Sequence, residues 1–197
     1  MSKLRKISLL LLSILMCISL SACFLTDLNA LALKPALEVP EQLDKATVIA
    51  GIDGDTVVVR LENGSEQKVR LLGVNTPELG TKTSLPQTFS QEASDFTKSK
   101  LLNKTVYLEK DVSDKDKFDR LLRYIWLKPP EEITDEVLTS SMFNAILLTN
   151  GYANTYTLSP DTKYRQDFTN YLKKAKNDKV GVWAPRVTTP KKVQAKK

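Results

Sequence analysis

The sequence predicts an α+β protein, in which a five-stranded OB-like β-barrel packs against about three helices. Five short segments are rich in β-branched and apolar residues, and Asp-Gly and Asn-Gly turn signals separate the first three of them. A helical pattern falls between the third and the fourth segment, as in small Greek-key barrels. The length of 197 residues suits one ordinary domain.

Each element follows from its local pattern. Strands are predicted over residues 46–52, 55–61, 66–74, 105–109 and 121–127. Helices are predicted over residues 90–102, 142–150 and 160–177, where apolar side chains recur at helical spacing. Gly151 suits the C-terminal end of the second helix. Residues 128–141 give no clear signal and look like an insertion before that helix.

The N-terminus has the pattern of an export signal. Three cations (Lys3, Arg5 and Lys6) precede an apolar stretch at residues 7–20, which is too short to span a membrane. The small residues before Cys23 resemble the bacterial lipoprotein box, in which cleavage before the cysteine leaves a lipidated N-terminus. We therefore expect a signal peptide over residues 1–22, lipidation at Cys23 and an extracytoplasmic, membrane-anchored lipoprotein. A plain secretory signal is the alternative.

The positive charge lies at the two ends of the chain. The net charge is +6, but the signal carries three cations and residues 186–197 carry five with no acid. Residues 23–184 hold 21 cations and 23 anions, so the overall charge is no evidence that the folded part binds nucleic acid. We predict a tether over residues 23–44, one domain over residues 45–184 and a solvated basic tail over residues 185–197.

The composition excludes several kinds of chemistry. The chain has no His, which excludes Ser-His-Asp and Cys-His nucleophilic systems and any His-ligated metal. Its two cysteines are Cys17, inside the predicted signal, and Cys23, so the processed chain has no intrachain disulfide. Chemistry must come from carboxylates, Arg, Lys, Tyr, hydroxyls, backbone groups and a hard metal ion.

Three short motifs combine acidic, basic and turn residues. They read IDGDTV at residues 52–57, RLLGVNTPE at 70–78 and DKFDR at 116–120. Each taken singly fits a turn or a charged surface loop. Together, in this order and spacing, they resemble the staphylococcal nuclease (thermonuclease-like) family, and the likeness extends over roughly residues 46–184. The resemblance also implies the OB barrel.

The resemblance implies a monomer that hydrolyses phosphodiester bonds of DNA and RNA with Ca²⁺. It makes the Asp55 carboxylate, the Asn75 side chain and the Thr76 carbonyl the metal ligands, all oxygen donors that suit a hard cation. The corresponding roles of the other matched residues are a general base at Glu78, phosphate clamps at Arg70 and Arg120, and substrate contacts at Lys117, Phe118 and Tyr156.

The sequence departs from the family pattern at three positions. Asn75 replaces an Asp, so we expect weaker metal binding because one ligand charge is lost. Asp119 replaces a Gly, and we expect its carboxylate to draw Arg120 away from the phosphate. Leu158 replaces the second of two Tyr that lie near the substrate base, which reduces base stacking.

Two other readings remain open. The first is a catalytically silent OB-fold module that binds nucleic acid or a protein partner, and Asn75 is the feature that favours it. The second is a structural lipoprotein whose basic tail contacts the cell envelope. The enzyme reading depends on Glu78 and predicts that its replacement by Gln abolishes cleavage but not binding.

Overall fold

The structure is a computed structural model that describes residues 37–81 and 83–185. Its strands are β1 (Asp44–Gly51), β2 (Thr56–Leu61), β3 (Glu66–Leu71), β4 (Val74–Asn75), β5 (Thr105–Glu109), β6 (Leu121–Trp126) and β7 (Asn154–Thr155). Its helices are α1 (Ser90–Leu101), α2 (Asp135–Ser141), α3 (Phe143–Thr149) and α4 (Arg165–Asn177), followed by a 3₁₀ turn at Gly181–Trp183. The predicted signal, Cys23 and residues 186–197 lie outside the described residues.

Five strands close into a barrel in the order β1-β2-β3-β6-β5, with β5 pairing back to β1. All neighbours are antiparallel except β3 and β6, which run parallel. This is the predicted five-stranded OB-type barrel, and the meander of its first three strands is as expected. Valines at the barrel interior, such as Val57, Val59 and Val69, are fully buried and form its core.

The third predicted strand is in fact two. β3 ends at Leu71, and the chain turns at Gly73, whose φ is 74°. A Cβ on Gly73 would lie 2.6 Å from the Phe168 ring, so only glycine fits both the conformation and the close approach of α4. Val74–Asn75 then leaves the barrel and pairs with β7 instead.

Within residues 37–81 and 83–185 there are four helices, where about three were predicted. Residues 135–141 form α2 inside the segment that gave no clear signal. The Thr134 hydroxyl accepts a hydrogen bond from the Val137 N–H at 3.2 Å, and Asp135 and Glu136 lie in the first turn, so a cap and the helix dipole both favour this start. The last predicted helix, over residues 160–177, begins later, at Arg165.

Asn144 connects helix α3 to the barrel through two side-chain hydrogen bonds. It is fully buried, its amide NH₂ donates to the Leu72 carbonyl at 2.8 Å, and its carbonyl accepts from the Ile125 N–H at 2.9 Å. It satisfies two backbone groups that the sheet leaves unpaired where β3 ends.

Among the described residues, no helix is both long and apolar enough to cross a membrane.

Candidate active site

Asp55, Arg70 and Thr76 meet at one end of the barrel although they are far apart in sequence. Asp55 lies just before β2, and Arg70 is on β3 opposite Thr56. Asp55 Oδ2 accepts a hydrogen bond from the Thr76 N–H at 2.8 Å and lies 3.2 Å from Arg70 Nη2. The Thr76 hydroxyl is also 3.2 Å from Oδ2. Two of the predicted ligands and one predicted phosphate clamp therefore form a single cluster.

The turn before β2 holds Asp55 in this position. The Asp53 carboxylate accepts the Asp55 N–H at 3.0 Å, which is the hydrogen bond of an Asx turn. The Gly54 carbonyl accepts from the Thr97 hydroxyl of α1 at 2.7 Å. A Cβ on Gly54 would lie 2.6 Å from the Thr76 hydroxyl, so glycine lets the two segments approach closely.

Asp55 is almost completely buried, and its environment disfavours the charged form. Burial raises its pKa from 3.8 to about 6, and the carboxylates of Asp53 and Glu78 add to this rise. The Arg70 guanidinium and the Thr76 N–H act in the opposite direction. An added cation beside Asp55 would offset the remaining cost of its negative charge.

Arg70 is held by four acceptors. Its Nη1 donates to the carbonyls of Leu71 and Val74 at 2.7 and 2.9 Å. Its Nη2 donates to Asn75 Oδ1 at 2.9 Å and also faces Asp55. The guanidinium therefore contacts two of the predicted metal ligands, and its position depends on both of them.

The donor set fits a hard cation. The Asp55 carboxylate, the Asn75 side-chain carbonyl and the Thr76 backbone carbonyl all offer oxygen, which Ca²⁺ prefers. No group of three or more acidic or cysteine side chains that could hold a metal occurs within residues 37–81 and 83–185. Asn75 also places its amide nitrogen 3.5 Å from the Thr76 carbonyl, an orientation that an Asp side chain would not have.

Glu78 is exposed at the start of the loop that precedes α1. Its N–H donates to the side-chain carbonyl of Gln87 at 3.0 Å, and the Gln87 N–H donates to the Glu78 carbonyl at 2.9 Å. Gln87 therefore ties the two ends of this loop together at Glu78. Among the described residues, the Glu78 carboxylate makes no hydrogen bond or ion pair, which leaves it available to bind a water molecule or a proton.

A groove of about 440 Å³ lies beside this cluster and contains the other predicted substrate residues. Its polar and aromatic lining includes Arg70, Lys115, Asp116, Lys117, Phe118, Arg120 and Tyr156. Phe118 and Tyr156 are 66% and 51% exposed, and exposed rings of this kind can stack on a base. Leu158, which replaces an expected Tyr, also lines the groove. Arg70 belongs to both the groove and the Asp55 cluster and connects them.

The acid that pairs with Arg120 is Asp116, not Asp119 as expected. Asp116 Oδ2 accepts from Arg120 Nε and contacts Nη2, both at 2.7 Å. Burial acts to raise the pKa of the Asp116 carboxyl, but hydrogen bonds from Arg120 and from the Phe118 N–H outweigh it and lower the pKa below its usual value. Asp119 instead pairs with Lys115 at 2.8 Å.

Sequence reasoning missed Lys115, the pairing of Asp116 and the role of Gln87. Lys115 stands directly before the third motif, and its position alone does not indicate that it faces the groove. Asp116 lies four residues before Arg120, a spacing that the sequence shows but that could equally have been a solvated pair. Nothing in the local pattern marks Gln87.

We predict that Asp55 destabilises the metal-free protein above about pH 6. Between pH 4 and 6 the folded protein keeps the Asp55 proton while the unfolded chain, with the ordinary pKa of 3.8, loses it. The stability that this proton provides is complete below about pH 4 and is lost as the pH rises through 6. At ~1.4 kcal/mol per pKa unit, the free energy of unfolding falls by about 3 kcal/mol over this range.

Urea unfolding in excess chelator at pH 4 and pH 8 measures this effect. From pH 4 to pH 8, the free energy of unfolding of Asp55→Asn should rise by about 2–3 kcal/mol relative to that of wild type. The reason is that the variant carries no titrating group at this position. Asp178→Asn, which removes an exposed carboxylate just after the C-terminal end of α4, is the control and should show no comparable increase. An equal shift in both variants would contradict the prediction.

Comparison with known proteins supports one family. Residues 68–185 match the family described as Staphylococcal nuclease homologue. The thermonuclease of Staphylococcus hyicus is 35% identical over 167 residues, covering 85% of this chain and 90% of that protein. The thermonuclease of Staphylococcus intermedius is 37% identical over 132 residues, covering 67% of this chain and 71% of that protein. Endonuclease YncB of Bacillus subtilis is 32% identical over 146 residues, covering 73% and 64%. The chain therefore belongs to the staphylococcal nuclease family.

Proposed function

We propose that this protein is a Ca²⁺-dependent nuclease that hydrolyses phosphodiester bonds of DNA and RNA. The observation that carries the proposal is that Arg70 lies both in the cationic groove and within hydrogen-bond distance of the oxygen cluster at Asp55. A scissile phosphate seated at Arg70 would be next to the candidate metal ligands. The names of the relatives, thermonuclease and endonuclease, agree with this chemistry.

The residues divide the reaction between them. Bound at Asp55, Asn75 and Thr76, Ca²⁺ would supply electrostatic stabilisation for the charge that develops on the phosphate. Arg70 and Arg120 bind phosphate oxygens, since planar guanidinium groups form paired hydrogen bonds with them. Glu78 takes a proton from the attacking water. As the water oxygen bonds to phosphorus, the bond from phosphorus to the leaving oxygen breaks.

Substrate contacts away from the phosphate come from the same groove. Phe118 and Tyr156 present exposed rings, and Lys117 lies 5.1 Å over the Phe118 ring. Stacking on such rings is tolerant of base identity, and a lysine at this position interacts with the backbone of the nucleic acid. These features support action on both DNA and RNA.

The silent-module alternative draws on one specific observation. The amide nitrogen of Asn75 faces the Thr76 carbonyl, and Asn75 Oδ1 is already occupied by Arg70. Metal binding would require this amide to turn or to give up its bond to Arg70. A chain kept only for binding would nevertheless have no need for both groove arginines and the exposed carboxylate of Glu78, and so we favour the enzyme.

We predict that Glu78→Gln abolishes cleavage and leaves binding intact. The substitution keeps the size and the backbone hydrogen bonds to Gln87 but removes the proton acceptor, a loss that typically costs about 10²–10⁴-fold in rate. Degradation of plasmid DNA and of RNA in Ca²⁺ measures cleavage, and fluorescence anisotropy with a labelled oligonucleotide measures binding. Glu62→Gln, an exposed acid at the end of β2, is the control. Wild-type rates from Glu78→Gln would contradict its role as the base.

We also propose that the enzyme is held outside the bacterial cytoplasmic membrane by lipid on Cys23. The basic and apolar segments before this cysteine, and the small residues next to it, support the proposal. One lipid-modified cysteine and a tether over residues 23–44 would let the domain reach nucleic acid near the cell surface.

Fractionation of a bacterial expression host tests the anchor. We expect wild type in the membrane fraction and Cys23→Ser outside it, with a mass spectrum of the wild-type N-terminus that shows the lipid. Cys17→Ser is the matched control, because it changes a cysteine six positions earlier in the same segment. A soluble wild-type protein without lipid would contradict the proposal.

A further inference from the structure

The tip of the β5–β6 connection carries an ion pair at the groove. The backbones of Lys115 and Leu121 form an isolated antiparallel β-bridge. Two hydrogen bonds close the turn between them, from the Asp116 N–H to the Arg120 carbonyl and from the Asp119 N–H to the Asp116 carbonyl. Asp119 adopts a left-handed conformation with φ of 63°. In that position its carboxylate contacts Lys115 Nζ at 2.8 Å.

Four cationic side chains among the described residues line the groove, and acids hold three of them. Asp55 contacts Arg70, Asp116 contacts Arg120, and Asp119 contacts Lys115. Asp55 and Asp116 are shielded, with side chains only 4% and 13% exposed, and both also accept backbone hydrogen bonds. Asp119 differs, since its side chain is 81% exposed.

The exposed pair is therefore the one that a substrate can displace. Exposed Lys–Asp pairs contribute little stability, because water screens them and both side chains lose freedom. A phosphate in the groove can replace Asp119 as the partner of Lys115. The Asp119 carboxylate both competes for the ammonium group and repels the polyanion, so it lowers the affinity for nucleic acid.

We propose that Lys115 is a further phosphate-binding residue and that Asp119 restrains it, which sets the affinity of the groove for nucleic acid. The inference rests on the proposed nucleic-acid substrate and adds a residue pair to it. Asp119 stands at the position where the family motif that this sequence resembles has Gly, which carries no carboxylate. Substrate phosphate at Lys115 would lie in the same groove as Arg120.

Asp119→Asn tests the restraint in the full chain. Asn tolerates the left-handed conformation, so the turn is kept while the charge is removed. We expect about two- to fivefold tighter binding of a single-stranded oligonucleotide at low salt. One additional phosphate contact should also make the slope of log binding constant against log salt concentration steeper by about 0.7. Fluorescence anisotropy in excess chelator measures both without cleavage.

Two further variants separate Lys115 from a general charge effect. Asp178→Asn removes the same charge and also breaks an exposed i,i+4 pair, with Lys174 on α4, and should leave the affinity unchanged. Lys115→Met keeps the length of the side chain, and adding Asp119→Asn to it should produce no gain. The double-mutant cycle then assigns the effect to the contact between the two residues.

The outcomes are distinguishable. Equal affinities of wild type and Asp119→Asn, or the same gain with and without Lys115, would overturn the role of this pair. Binding by wild type without cleavage in Ca²⁺ would count against the proposed hydrolysis and leave the pair in place. No oligonucleotide binding by wild type or Asp119→Asn would overturn both proposals.

Discussion

The buried carboxylate of Asp55 is the group on which the candidate site depends. It joins the turn before β2 to β3 through Arg70 and to the segment after β4 through the Thr76 N–H. The Asp55 backbone carbonyl also accepts a hydrogen bond from the Leu71 N–H at 2.9 Å, which joins this turn to the end of β3, while β4 is held by its pairing with β7. A charged group at this position costs stability, and a cation bound beside it would offset that cost.

The position of Arg70 follows from the same arrangement. Its guanidinium is satisfied by two backbone carbonyls and by oxygens of Asp55 and Asn75. A cation that binds those two side chains would weaken their bonds to Arg70 and free its Nη2 for phosphate. Metal and substrate binding would thus be favourably coupled through one side chain, with no change in the barrel.

The sequence predicts the barrel well because its signals are local. Alternation and turn residues locate β1, β2 and β5 within about two residues, and family motifs identify Asp55, Arg70 and Thr76, which the structure brings together. Packing between distant segments and the geometry of individual turns decide the rest. The end of β3 depends on Phe168 against Gly73, and the partner of Arg120 depends on how the 116–120 turn closes. Neither contact can be read from neighbouring residues.

Calorimetric titration of Ca²⁺ into chelator-treated wild type, Asp55→Asn and Asn75→Asp tests the central claim most directly. The claim is that oxygens around Asp55 hold the ion. It predicts one site in wild type, tighter binding in Asn75→Asp because a ligand charge is restored, and loss of binding in Asp55→Asn. Equal Ca²⁺ binding by wild type and Asp55→Asn, or no binding by wild type and Asn75→Asp, would contradict it.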